Sequence, residues 1–219
     1  MLELQKLYSL MVPSLWETLY MVLFSTVFAC ISGFALGVVL IVTEKDNIMP
    51  MPRLNSVIGF AVNTARSLPF IILIIAIFPL SRLIVGTSIG STAAIVPLSI
   101  AAAPFVARVV ESSLKEVDKG VVEAAMACGA TRLQIISSVL LPEALPSLML
   151  GVTITIINIL GYSAMAGAIG GGGIGDLAIR YGYQRFETDV LVATIIVLIV
   201  MVQAIQAGGN MLSAKFDKR

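Results

Sequence analysis

The sequence predicts an all-α integral membrane protein, a single domain over residues 1–219 with five transmembrane helices. Three observations lead there. Hydrophobic residues make up 58% of the chain and charged residues 12%, and the mean hydropathy is +1.00. These values exceed what a soluble domain carries. A bilayer core of about 30 Å takes roughly 20 apolar residues per helix, so 219 residues hold about five spans joined by short loops. The charged residues also leave five long intervals almost empty, and in hydrocarbon only a helix satisfies the backbone of such an interval without a closed barrel.

The first interval, Thr18–Thr43, predicts a span over 14–42. Glu3, Lys6 and Pro13 precede it, with no basic segment leading to a small-residue cleavage site, so this span is expected to stay in place. The second, Leu54–Ser81, predicts a span over 55–80 and is interrupted only by Arg66. A guanidinium at the bilayer centre costs about 2.5–3.5 kcal/mol, so Arg66 is expected off-centre, either snorkelling or holding a helix end, or else serving the pathway. Pro69 is expected to kink this span, shaping a cavity or fitting a neighbour. The third interval, Leu83–Ala107, predicts a span over 90–112.

The fourth, Ala144–Gly175, predicts a span over 144–168 with Thr153, Thr155, Asn158, Tyr162 and Ser163 among apolar residues. These polar groups either bond between helices or line a path, and Asn158 and Ser163 are the first choices for a path. Met165, close to the end of that span, fits an outer gate or flexible packing. Gly170–Gly173 follow, where each glycine costs about 1 kcal/mol relative to alanine in a helix, so a flexible or tightly turned segment is expected. The fifth interval, Val190–Ala214, predicts a span over 189–212.

Five spans place the termini on opposite sides. With the C-terminus inside, the inner segments hold Lys45, Arg53, Arg108, Lys115, Lys119, Arg132, Lys215, Lys218 and Arg219, against Lys6, Arg82, Arg180 and Arg185 outside. The positive-inside rule selects this orientation, with the N-terminus outside and the loop 113–143 in the cytoplasm. Within that loop Asp118 is a candidate N-cap, Gly129 suits the left-handed position after a helix end, and Thr131 with Gln134 forms a capping-box pattern. Pro142 is expected to forbid simple continuation of the second helix into the next span. Ala124, Ala125 and Ala127 leave room for close approach by a partner, and Glu123 adds a charge, which together imply a docking surface or a helix pair resting on the membrane.

Several functions are excluded. The chain has no histidine and two distant cysteines, Cys30 and Cys128, which rules out a Ser-His-Asp triad or a Cys/His zinc site. A net charge of +1 without a clustered basic face argues against nucleic acid. The chain contains no phosphate-binding loop, so it is not expected to be an enzyme hydrolysing ATP itself.

The spacing Glu123-Ala124-Ala125, three residues, Gly129, nine residues, Val139, then Leu141-Pro142 resembles the EAA loop of ABC-importer permeases of the type I fold, with Val139 where isoleucine is usual. Across the rest of the chain, Arg66-Ser67-Leu68-Pro69-Phe70, Val85–Gly90 with Ala94–Leu98, and Gly161–Gly167 running into Gly170–Gly173 are similar to the five-span methionine-importer permeases.

The resemblance implies a homodimer in the bacterial inner membrane, two ATP-binding cassette subunits that carry ATP and Mg, and an extracytoplasmic methionine-binding protein. It gives Glu123, Ala124, Ala125, Gly129 and Pro142 contact with the ATPase. On the residues themselves, Met165 is a candidate for an outer gate with its dimer mate, and Ser163, Asn158 and Arg66 are further pathway candidates. No cofactor is implied in this chain. The substrate would be D- or L-methionine, moved by alternating access; another small amino acid or a quaternary amine is the alternative. An ion-coupled carrier is disfavoured because the uncharged spans hold no Asp, Glu or His.

Overall fold

The computed structural model describes residues 2–45 and 47–216, so Lys218 and Arg219, two of the inner charges counted above, lie outside the described residues. The described residues form helices joined by short turns, with no strand among them. Helix α1 (Leu2–Val42) is followed by α2 (Pro52–Ser67), α3 (Phe70–Val85), α4 (Ser91–Lys115) and α5 (Lys119–Ala127). A short α6 (Arg132–Gln134) passes through a π-helical turn, Ile135–Leu140, into α7 (Leu141–Ala166). The Gly167–Gly171 turn, α8 (Gly173–Leu177), a second π-helical turn over Ala178–Tyr183 and α9 (Thr188–Phe216) complete the chain.

Among the described residues four helical stretches are long and apolar enough to cross a bilayer, Gln5–Val42, Ser91–Lys115, Arg132–Gly171 and Thr188–Phe216, and the bent pair Pro52–Ser67 and Phe70–Val85 makes a fifth if it is one span. The expected span over 55–80 is not one helix. It breaks into α2 and α3, which meet at 107°. Pro69 does more than kink it: proline drives the residue before it out of the helical region, and Leu68 sits at φ −82°, ψ 132°. A second expectation also fails, at Pro142. The helix entering from Arg132 runs through this proline without stopping and continues to Ala166; the backbone leaves helical geometry at Ile169 (φ −116°, ψ 24°) and Gly170 (φ 93°, ψ 14°). The π-helical turn explains why: the Leu141 N–H reaches back to the Ile136 carbonyl, and the widened turn accommodates the position at which proline lacks a donor.

The core forms where α1, α4 and α7 cross, around buried Ala29, Val106, Val110, Leu148 and Ile159. Small residues make the α1–α4 approach close. A Cβ on Gly33 would lie 2.5 Å from Val106 Cβ, and one on Gly37 would lie 2.6 Å from the Ala107 carbonyl oxygen. Gly33 and Gly37 stand four apart on one face, the small-xxx-small spacing by which membrane helices associate through backbone contact when no hydrophobic effect separates them from lipid.

Candidate functional site

The loop between α4 and α7 is built almost entirely by local capping. Asp118 Oδ1 accepts a hydrogen bond from the Gly120 N–H at 2.6 Å and starts α5. At the other end Gly129 has φ +82°, its N–H donates to Met126 O at 2.9 Å, and the Ala130 N–H donates to Ala125 O at 3.1 Å. This pair of bonds is the Schellman closure, and it requires the left-handed residue that glycine adopts without strain. The capping box then opens α6: Thr131 N–H donates to Gln134 Oε1 at 2.8 Å while Gln134 N–H donates to Thr131 Oγ1 at 3.4 Å.

The two short helices present an apolar surface with a charge beside it. Val121, Met126 and Leu133 are exposed, Leu133 to 78%. Glu123, Ala124, Gly129 and Pro142 also lie in the open, whereas Ala125 is half-buried, packing α5 against the core. Between α5 and the turn after α1 lies an open cavity of about 450 Å³, lined by Glu44, Lys45, Lys115, Lys119 and Glu123.

Charges from α4 and from the turn after α1 anchor the base of this loop. Buried Glu111 pairs with Arg108 at 2.5 Å and with Lys115 at 3.0 Å, and Lys115 also reaches Glu44 at 3.0 Å. Arg108 donates further to the Gly59 carbonyl at 3.1 Å and to Asn63 Oδ1 at 2.9 Å on α2. Sequence reasoning missed this network, although the spacings of three and four between Arg108, Glu111 and Lys115 put them on one helix face. The burial of Glu111 beside two cations is what the fold adds.

At the opposite end, the Gly-rich segment is ordered by partners on α1. Gly173 N–H donates to Glu17 Oε2 at 2.7 Å and Ile174 N–H to Thr18 Oγ1 at 2.8 Å. Gly173 has φ +79°, and a Cβ there would lie 2.6 Å from Thr18 Oγ1. Of the two expectations for residues 170–173, the tight turn is the one adopted. Glu17, one residue before the uncharged interval, was the missed partner.

The candidate pathway residues do not assemble into one site. Asn158 is partly exposed and Met165 is 49% exposed, and their spacing of seven puts them on one face of α7 together with exposed Ile154 and Gly161. Ser163 is on another side: it is 2% exposed and its hydroxyl donates to Leu160 O at 2.7 Å, so it lines no open path within this chain. A step of five from Asn158 turns it toward the packed side of α7. Arg66 is exposed at the last turn of α2, next to the bend, and no hydrogen bond among the described residues joins it to the α7 face. Tyr162 stacks on Phe70 with ring centroids 4.2 Å apart, tying α7 to the start of α3.

Residues 33–218 match a family profile described as "Binding-protein-dependent transport system inner membrane component". The chain is 51% identical over 210 residues to a probable D-methionine transport system permease protein MetI of Vibrio cholerae, covering 96% of this chain and 93% of that one. It is 45% identical over 204 residues to the methionine import system permease protein MetP of Bacillus subtilis, covering 93% and 92%. Among solved structures, a chain of the MetNI methionine ABC transporter in inward-facing conformations superposes with TM-score 0.95 at 44% identity, over 96% of this chain and 98% of that chain.

Proposed function

Since this chain belongs to the binding-protein-dependent transport system inner membrane components, we propose that it is the membrane permease of an ATP-driven importer that carries methionine into the cytoplasm. It is not itself an enzyme; ATP and Mg are handled by a separate subunit. Two copies form the membrane unit, two ATP-binding cassette subunits dock beneath it, and an extracytoplasmic methionine-binding protein delivers the substrate from the other side. The N-terminus faces outward and the C-terminus lies in the cytoplasm of a bacterial cell.

The observation that carries this reading is the capped α5–α6 loop. Its two helices are capped by their own side chains, it exposes Val121, Ala124 and Leu133 beside Glu123, and it continues through the π-helical turn into α7 without a break. Such a helix acts as a lever. When ATP draws the two ATPase subunits together, the docked loops move with them, and α7 passes the displacement to the Gly-rich turn at its far end. The α7 face bearing Asn158, Gly161 and Met165 opposes its counterpart across the two-fold axis and lines the path. Glu123, Ala124 and Gly129 make the ATPase contact, with Ala125 supporting them from beneath and Pro142 at the junction with α7.

The test is uptake of labelled methionine into proteoliposomes that contain this chain, its ATPase and its binding protein. ATP-dependent uptake blocked by methionine analogues and not by other amino acids is expected. ATP-dependent uptake of a different solute overturns the substrate assignment, and ATP-independent uptake overturns the importer itself.

A further inference from the structure

The segment leading into α9 holds two aromatic rings in the open on a rigid base. Phe186 is 84% exposed and Tyr183 is 72% exposed. Phe186 also has φ +58°, and among the described residues it is the single non-glycine with positive φ. A bulky L residue is strained in that region, and such strain persists only where the surroundings over-determine it.

The surroundings do so here. Gln184 N–H donates to Ile179 O at 2.9 Å, Glu187 N–H to Tyr181 O at 3.1 Å and Thr188 N–H to Phe186 O at 3.0 Å. Lys6 Nζ holds Glu187 at 2.8 Å. The Arg185 guanidinium sits 4.4 Å from the Tyr181 ring centre and that of Arg180 sits 5.6 Å from it, with Arg180 also paired to Asp176. A Cβ on Gly182 would lie 2.9 Å from Leu191 Cβ, so the turn is seated directly on α9.

Folding gains nothing from holding a phenylalanine ring in the open on a strained backbone. We propose that Phe186 and Tyr183, flanked by Arg180 and Arg185, are the anchor on which the extracytoplasmic binding protein docks. This rests on the importer reading above and adds to it the place and chemistry of the contact.

Three observations select that occupant. The segment lies at the far end of α7 from the α5–α6 loop, so a partner here is not the ATPase. The family is one whose transport depends on a binding protein. Finally, preorganised aromatic and arginine side chains are what protein interfaces concentrate their binding energy in. Arg185 has no carboxylate partner among the described residues, so the complementary surface is an apolar socket rimmed by carboxylates. A lipid headgroup region accepts aromatic rings from ordinary helix ends and has no use for the strained backbone.

The experiment titrates the binding protein against ATPase activity of the intact permease–ATPase complex in nanodiscs. Phe186→Gly keeps the positive φ and removes the ring. Its half-saturating concentration is expected to rise about tenfold or more, while Phe186→Tyr stays within about twofold of wild type. Tyr183→Ala combined with Phe186→Gly raises it further. An unchanged half-saturation in Phe186→Gly overturns the docking site while leaving the importer reading standing. Dissociation of that variant into single permeases on size exclusion, which marks a contact between copies, also overturns it. No stimulation of the wild-type complex overturns the importer reading and the docking site with it.

Discussion

Glu17 shows how much one side chain organises at the outer end of the fold. Its carboxylate lies against the backbone of Gly172 and Gly173, where an added Cβ on Gly172 would approach Glu17 Oε2 to 2.6 Å. Four glycines in a row would otherwise leave this segment without a preferred conformation, and the Glu17 and Thr18 caps select one. Glu17→Ala removes an acceptor from the α8 N-terminus and is expected to cost roughly 1 kcal/mol. Most of that cost should appear locally, as faster hydrogen exchange over residues 167–177 measured by mass spectrometry. Glu17→Gln keeps an acceptor oxygen and should retain most of the protection. Equal exchange in Glu17→Ala and wild type would mean that the Thr18 cap alone orders the turn.

Among the elements, α5 and α6 depend on backbone chemistry more than on burial, because none of the residues of α5 is fully buried. Nothing lies within 4 Å of a Cβ placed on Gly129, so a substitution there is opposed only by its φ of +82°. A non-glycine residue forced into that region costs roughly 1–2 kcal/mol, and asparagine tolerates it better than a β-branched residue does. Gly129→Val is therefore expected to reduce co-purification of the ATPase subunit with the permease more than Gly129→Asn, at similar yields of membrane-inserted protein. If both variants retain the ATPase fully, the Gly129 turn does not shape the docking surface. The break between α2 and α3 follows the same logic in reverse: Pro69 acts where no widened turn absorbs it, and the chain bends by 107°.

For the molecule as a whole, one open face has a decisive position. Ile154, Asn158, Gly161 and Met165 leave α7 uncovered on one side although the other sides pack against α4, α1 and α9. If this face meets its two-fold mate, Met165→Cys on an otherwise cysteine-free chain, with Cys30 and Cys128 replaced, should form an intermolecular disulfide with oxidant, seen as a dimer on a non-reducing gel. Its labelling by aqueous maleimide should change when ATP is trapped in the complex. A cysteine there that neither cross-links nor reacts in any state removes Met165 from the gate.

The amino-acid sequence by itself determined the membrane class and the capping of the α5–α6 loop. Charge spacing against bilayer thickness and the capping patterns at Asp118, Gly129 and Thr131 are properties of contiguous residues, so they are legible without a fold. Only the tertiary structure decided the rest. It placed Glu17 on the backbone of Gly173, 156 residues away, and joined Glu44, Glu111, Lys115 and Arg108 into one network. It turned Ser163 inward, and it carried the helix through Pro142 while breaking it at Pro69. The physical reason is the same in each case. Proline, glycine and isolated charges set a local cost, but whether that cost is met by a bend, a widened turn or a partner depends on which distant backbone or side chain the packing brings into contact.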